Sequence, residues 1–230
     1  NLDILDVTTP EGDSLGFTLG EADPILGQAL EVELKPETQK VKIKYATTDG
    51  AAALQWLSPQ QTEGKQQPFL FTQSQAILAR TWIPSQDGPG MRFTYNATVK
   101  VPSNLMAVMS ATNPTERTAD GVYHFEMAQP IPAYLMALSV GDLRFKPIGA
   151  RTGVYAEPTM IDRAVNEFAD MEKMLIAAEE LYGAYSWERY DVIVLPPSFP
   201  FGGMENPRLT FATPTIIAGD RSLTALIAHE

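Results

Sequence analysis

The sequence predicts a multi-domain chain: an N-terminal all-β domain of saddle or sandwich form over residues 1–146, then the start of an α/β domain over residues 147–230. Three observations predict it. Runs in which polar and apolar residues alternate fill the first two-thirds of the 230 residues. Turn-forming residues separate those runs at short intervals, the spacing of antiparallel strands in sandwiches and folded-over sheets. After Lys146-Pro147-Ile148-Gly149 the apolar period lengthens from two to three or four, the change from strand to helix.

Alternation is unbroken in Lys40-Val41-Lys42-Ile43-Lys44-Tyr45. From Phe93 to Val101, Phe93, Tyr95, Ala97, Val99 and Val101 share one face, and Thr94, Asn96, Thr98 and Lys100 the other. One face is therefore buried and one wet, as in an antiparallel sheet. Further strands are predicted at Leu30–Leu34, Pro68–Thr72, Leu105–Ala111, Val122–Met127 and Tyr134–Val140. Turns are predicted at Thr48–Gly50, Gln86–Gly90 and Thr118–Gly121.

From Pro158 to Tyr182, the positions Ile161, Val165, Phe168, Met171, Leu175, Ala178 and Tyr182 form one apolar stripe. That predicts a single amphipathic helix started by Pro158 and stopped by Gly183. Tyr190–Leu195 reads as a strand and Leu209–Ile217 as a β-like run. Gly219–Ser222 reads as a turn in which Ser222 N-caps a helix opening at Leu223. A helix that short is marginal alone, so residue 230 reads as an interruption, and Asn1, not being Met, as a trimmed start.

Composition narrows the function classes. With 17 Lys+Arg against 28 Asp+Glu the net charge is −11, which speaks against nucleic acid as a partner. The longest apolar stretch, Pro132–Val140, is far below the roughly 18 residues of a membrane span. There is no Cys, which excludes disulfides and thiolate metal sites. The acidic, cysteine-free chain suits a cytoplasmic enzyme.

Two motifs carry chemistry. Leu226-Ile227-Ala228-His229-Glu230 is the first half of an H-E-x-x-H site, in which two His on one helix face bind zinc and the Glu activates water. Its plainer alternative is a helix whose imidazole and carboxylate merely face solvent. In Pro200-Phe201-Gly202-Gly203-Met204-Glu205-Asn206-Pro207, two glycines after a strand let another backbone approach closely. An extended peptide could add to that edge through main-chain hydrogen bonds. Glu205 could then pair with a free α-ammonium, confining cleavage to chain ends. The plainer alternative is a Gly-Gly turn with a solvated Glu.

Gly202-Gly203-Met204-Glu205-Asn206 followed by His229-Glu230, with 229 − 205 = 24 residues from Glu205 to His229, resembles the zinc aminopeptidases of the gluzincin type. Within them it resembles the leukotriene A(4) hydrolase-like branch. Ala53–Leu57, Phe71–Ile77, Val194–Pro200 and Leu209–Thr215 support the likeness, which runs from about residue 15 to residue 230. The resemblance implies a thermolysin-like metallopeptidase domain, one Zn2+, and short peptides with a free N-terminus as substrates. It implies His229 as the first zinc ligand, Glu230 as the general base and Glu205 as the anchor of the substrate amine. The Gly202–Gly203 backbone, with Phe201, Met204 and Asn206 beside it, would line the peptide and help hold the oxyanion. Gln75, between Ser74 and Ala76 and with Gln73 close by, would reach in from the β domain. Phe201 stands where this branch often carries Tyr, so a phenolic contact there is missing. The remaining zinc ligands and the transition-state Tyr would lie beyond Glu230. Epoxide hydrolysis is an added activity of the branch, and a non-catalytic peptide-binding or scaffold module is the rival class.

Other motifs are weaker. Gly12-Asp13-Ser14-Leu15 matches a serine-esterase signature, but Gly121 and Leu226 stand where that family needs Asp three residues before a His, so a turn is expected. Asn96-Ala97-Thr98 is a glycosylation triplet within a predicted strand. His124 and Trp82 are expected to be structural.

Overall fold

A computed structural model describes all residues 1–230. Strands β1 (Leu2–Thr8), β2 (Phe17–Leu19), β3 (Leu30–Val32) and β4 (Lys42–Thr47) form two antiparallel pairs, β1 with β4 and β2 with β3. They are followed by β5 (Leu54–Leu57), β6 (Phe69–Thr72), β7 (Arg92–Lys100), β8 (Met106–Met109), β9 (Val122–Pro132) and β10 (Leu138–Gly141). Of these, β5-β6-β10-β8 form one antiparallel sheet, and β7 and β9 a long ribbon. The ribbon shows the expected alternation: odd positions of β7 are half-buried and even ones exposed, including Asn96.

The second part contains β11 (Arg144–Pro147), β12 (Thr152–Ala156), helices α1 (Ile161–Glu167) and α2 (Met171–Tyr182), β13 (Tyr190–Val194), β14 (Gly203–Met204), β15 (Thr210–Ala212) and helix α3 (Ala225–His229). Its sheet runs β11-β12-β13-β15-β14, parallel at β12-β13-β15 and antiparallel at both edges. Every residue of β12 and β13 is buried, as a parallel sheet covered on both faces requires.

The period of two along these strands sends side chains to two cores. Tyr155, Ile193 and Phe211 join a cluster of 26 buried residues shared with the β domain. Val154, Val192, Val194 and Ala212 join a second cluster of 15 on the opposite face, with Ile161, Ala164, Phe168, Met171 and Leu175 of the helical region and Ile227 of α3. Aromatic edges stitch the larger cluster across the two parts: Phe71 meets Phe199 at 5.6 Å and 82°, and Phe199 meets Phe211 at 6.1 Å. A polar clasp adds to it. The buried Glu157 carboxylate accepts from the backbone N–H groups of Glu63 at 2.8 Å and Gly64 at 3.0 Å.

Four expectations are corrected. The single helix over Pro158–Tyr182 is two, starting at Ile161 and broken at Phe168–Asp170. The break falls where polar groups serve another loop: Glu167 accepts from Gly219 N at 2.7 Å and Arg221 N at 2.8 Å, and Asp170 pairs with Arg221. The apolar stripe continues across the break as far as Leu175, but Ala178 and Tyr182, expected on the same face, are exposed because the end of α2 runs past the sheet's edge of the core. The β-like run from Leu209 stops at Ala212, because Pro214 has no N–H for a ladder and the Thr213 hydroxyl caps a tight turn at Pro214–Ile216. Tyr134–Val140 likewise opens with a turn over Ala133–Leu135 and is strand only from Leu138. Ser222 does not cap α3. Its N–H is held by Asp220 Oδ1 at 3.0 Å, and α3 begins after Thr224 with no side-chain cap.

Trp82 is buried, and Gly12, at φ +102°, lies in a turn closed by its N–H to Thr9 O. His124 sits on the exposed face of β9 with Nδ1 3.1 Å from Thr98 Oγ1.

The start of β12 is clamped to α2. Arg151 grips Glu179 with two nitrogens, at 2.8 and 2.6 Å, and Tyr185 N donates to the same carboxylate at 2.9 Å. The guanidinium, then the amide, hold the Glu179 carboxyl down at about 2, against an ordinary 4.5. A lowered acid contributes stability above its unfolded pKa and loses it as it protonates in the fold. The stability gap between wild type and Glu179→Gln should therefore be full above pH 4.5 and fade as pH falls toward about 2. Urea unfolding at several pH values measures it, and a gap that widens in acid would contradict the assignment.

Candidate active site

β13 ends at Val194 and leads through Pro196 and Pro197 to the buried Phe199. The chain then reverses and returns as β14, with Gly203 opposite Ala212 and Met204 opposite Phe211. Thr213 N donates to Gly202 O at 2.9 Å and extends the pairing by one residue. β14 is the last strand of its sheet, so its outer edge faces no other strand. Phe201, half-exposed at 48%, rests edge-on against Phe199 at 6.0 Å.

α3 brings its last turn to this edge. The Glu230 side chain packs directly on Gly203: a Cβ on that glycine would lie 2.6 Å from Glu230 Cδ and 2.8 Å from Cγ. Leu226 sits beside Gly202 in the same way, its Cδ1 3.3 Å from where a Cβ would be. Burial pushes the Glu230 carboxyl above the usual carboxylate range; positive charge on His229 opposes the rise and Glu205 adds to it. Glu205 itself is exposed, and so is His229. Gly202, Gly203, Glu205, His229 and Glu230, drawn from two motifs, thus share one locality.

The strip Gln73–Ala76 leaves the end of β6. Gln73 N donates to Ala53 O at 2.9 Å, and Gln73 Oε1 accepts from Gln75 N at 3.2 Å. Trp82 Nε1 donates to Ser74 Oγ at 3.1 Å, so this core Trp also fixes the strip. Gln75 and Ala76, joined by a cis peptide, are exposed. No hydrogen bond joins the strip to residues 200–206 or 229–230; the Phe71–Phe199 contact is what relates the two. Gln73 Nε2 and Asn206 Nδ2 are buried donors without a protein partner.

No three His, Asp or Glu side chains converge on a metal position. An accessible imidazole next to a half-buried carboxylate is the chemistry that a first ligand and a base of a zinc site require. Sequence reasoning missed Tyr190, whose hydroxyl donates to Ile227 O inside α3 at 2.8 Å. A tyrosine opening an apolar strand carries no signal of such a role.

Residues 21–135 match the Peptidase M1 N-terminal domain, and residues 166–230 the Peptidase family M1 domain. The chain is 45% identical over 243 residues to leukotriene A-4 hydrolase of Xenopus laevis, covering 100% of this chain and 40% of that protein. It is 47% identical over 210 residues to aminopeptidase B of Rattus norvegicus, covering 89% of this chain and 32% of the rat protein. Among solved structures it matches yeast LTA4 hydrolase in complex with bestatin at a TM-score of 0.92 and 38% identity, covering 99% of this chain and 36% of that one. The chain therefore spans at most about two-fifths of the length of these relatives. No helix is long and apolar enough to cross a membrane.

Proposed function

This chain belongs to the peptidase M1 family, and from that premise we propose that the protein is a zinc-dependent aminopeptidase, cytoplasmic, that removes N-terminal residues from short peptides. The observation that carries the reading is the seating of the Glu230 carboxylate on the open Gly202–Gly203 edge.

Each residue has a task in this reading. His229 would hold Zn2+ as one of its ligands; when bound, zinc lowers the pKa of a water and polarises the scissile carbonyl. The peptide lies along the outer edge of β14, its backbone paired with Gly202, Gly203 and Met204. Glu205 receives the α-ammonium, so only a chain end fits. Glu230 takes the proton of the attacking water and returns it to the leaving amine. Gln73 and Asn206 offer amide donors to substrate carbonyls, while Gln75, flanked by Ser74 and Ala76, closes the cleft from the β-domain side. Phe201 lines the edge with an apolar ring. The division into a β domain, 1–146, and a catalytic domain, 147–230, belongs to the same proposal. The likeness to the Xenopus protein favours one second reading, hydrolysis of a lipid epoxide, which incubation with such an epoxide tests.

The deciding experiment compares an aminoacyl chromogenic substrate with its N-acetylated form, using the full-length protein. The free amine should be cleaved and the acetylated form spared. A chelator should stop the reaction and zinc restore it. Glu205→Gln should lower kcat/KM on the free amine by about 10–100-fold, the loss of a hydrogen bond to a charged group. Equal cleavage of both substrates would remove the amine-anchor role. A protein that binds peptides without cutting them would instead be the non-catalytic module.

A further inference from the structure

Tyr190 opens β13 and is 9% exposed, its ring edge-on to Tyr185 at 6.1 Å and 81°. Its hydroxyl donates to the Ile227 carbonyl at 2.8 Å. That carbonyl lies two residues before His229 and three before Glu230. The helix it belongs to has no side-chain N-cap.

Leu226 against Gly202 and Glu230 against Gly203 bring it to the edge strand, and two further contacts hold it to the sheet. The Ile227 side chain, 3% exposed, packs in the second core. Apolar packing sets the distance between helix and sheet, but it is non-directional and permits the helix to roll or slide. A hydrogen bond at 2.8 Å is directional and removes that freedom. The hydroxyl is itself anchored. Tyr190 meets Tyr185 edge-on, and the Tyr185 amide is held by Glu179, which Arg151 grips from the start of β12. The phenol is thus tied to the rigid part of the sheet, and α3 is tied to the phenol.

Resting on the aminopeptidase reading, we infer that Tyr190 is a positioning residue: its hydrogen bond to Ile227 O sets the roll of α3 that seats Glu230 on Gly203 and aims His229 at the metal. Tyr190 touches neither substrate nor zinc. Its effect passes through the helix backbone.

Tyr190→Phe keeps the ring and deletes the tether. In the full-length enzyme, kcat on the aminoacyl substrate should fall about tenfold while KM stays within about twofold, since misplacing a catalytic group slows the chemistry more than it weakens binding. Zinc release into a chelator is read separately, in the catalytically silenced Glu230→Gln background, and should be several-fold faster with Tyr190→Phe than without it. A variant that melts earlier but keeps wild-type kcat and zinc release would overturn the inference, leaving Tyr190 a structural residue and the aminopeptidase reading intact. A wild-type protein that neither holds zinc nor cleaves the substrate would overturn both, and is told apart by the wild-type control.

Discussion

Glu230→Gln is expected to fold, to retain zinc and to turn over substrate about 10²–10⁴-fold more slowly than wild type, the range associated with losing a general base. Gln has the shape of Glu, so the contact with Gly203 survives, and the amide cannot accept the proton of the attacking water. The burial that raises the carboxyl marks a group held partly out of water, and a neutral amide is easier to keep there. Fold and metal content are read by circular dichroism and zinc stoichiometry, turnover by the aminoacyl assay. Near-wild-type turnover with zinc bound would remove Glu230 from the mechanism.

The second large effect belongs to a residue without a side chain. Gly203 does not require a left-handed backbone, so Gly203→Ala can adopt the native chain path, but its methyl group would occupy the space of the Glu230 carboxylate, with Cδ at 2.6 Å and Cγ at 2.8 Å. The methyl and the base claim the same space, so the base must move. Displacements of that size around reacting atoms cost about 10²-fold in rate, so kcat/KM should fall by about that factor with the fold preserved. Gly202→Ala is the internal control. Its methyl would meet only the flexible end of Leu226, at 3.3 Å, and the loss should stay within about tenfold. Steady-state kinetics of the two variants decide it. If both behave alike, the contact between Gly203 and Glu230 is not what sets the rate.

The parts of the fold legible from sequence are those with one wet face. β7 is legible because its burial alternates along all nine residues. The stripe through α1 and α2 is legible for the same reason, although its period cannot register the break imposed by Glu167 and Asp170. β12 gives no such signal, being buried on both faces and only five residues long with Gly153 inside. β1 begins with an alternating pattern, but the register slips between Ile4 and Asp6, which leaves Leu5 exposed and scrambles the period.

The site divides in the same way. Gly202–Asn206 and His229–Glu230 are local motifs and stand out in the chain. Their meeting is not local: it depends on β15 lying between β14 and β13, and on α3 returning across the sheet. The Tyr190 tether, which spans 37 residues of sequence, has no counterpart in any nearby pattern.

The Glu157 clasp bears on how a peptide would be measured. Opening the molecule at the joint between its two parts would strip both N–H groups from a buried carboxylate and pull Phe71 off Phe199. Hinge motion is therefore opposed at that joint by two kinds of bonding at once. Under the aminopeptidase reading, a peptide would therefore meet two parts of the protein already fastened to each other, and would have to fit the space they leave without prising them apart.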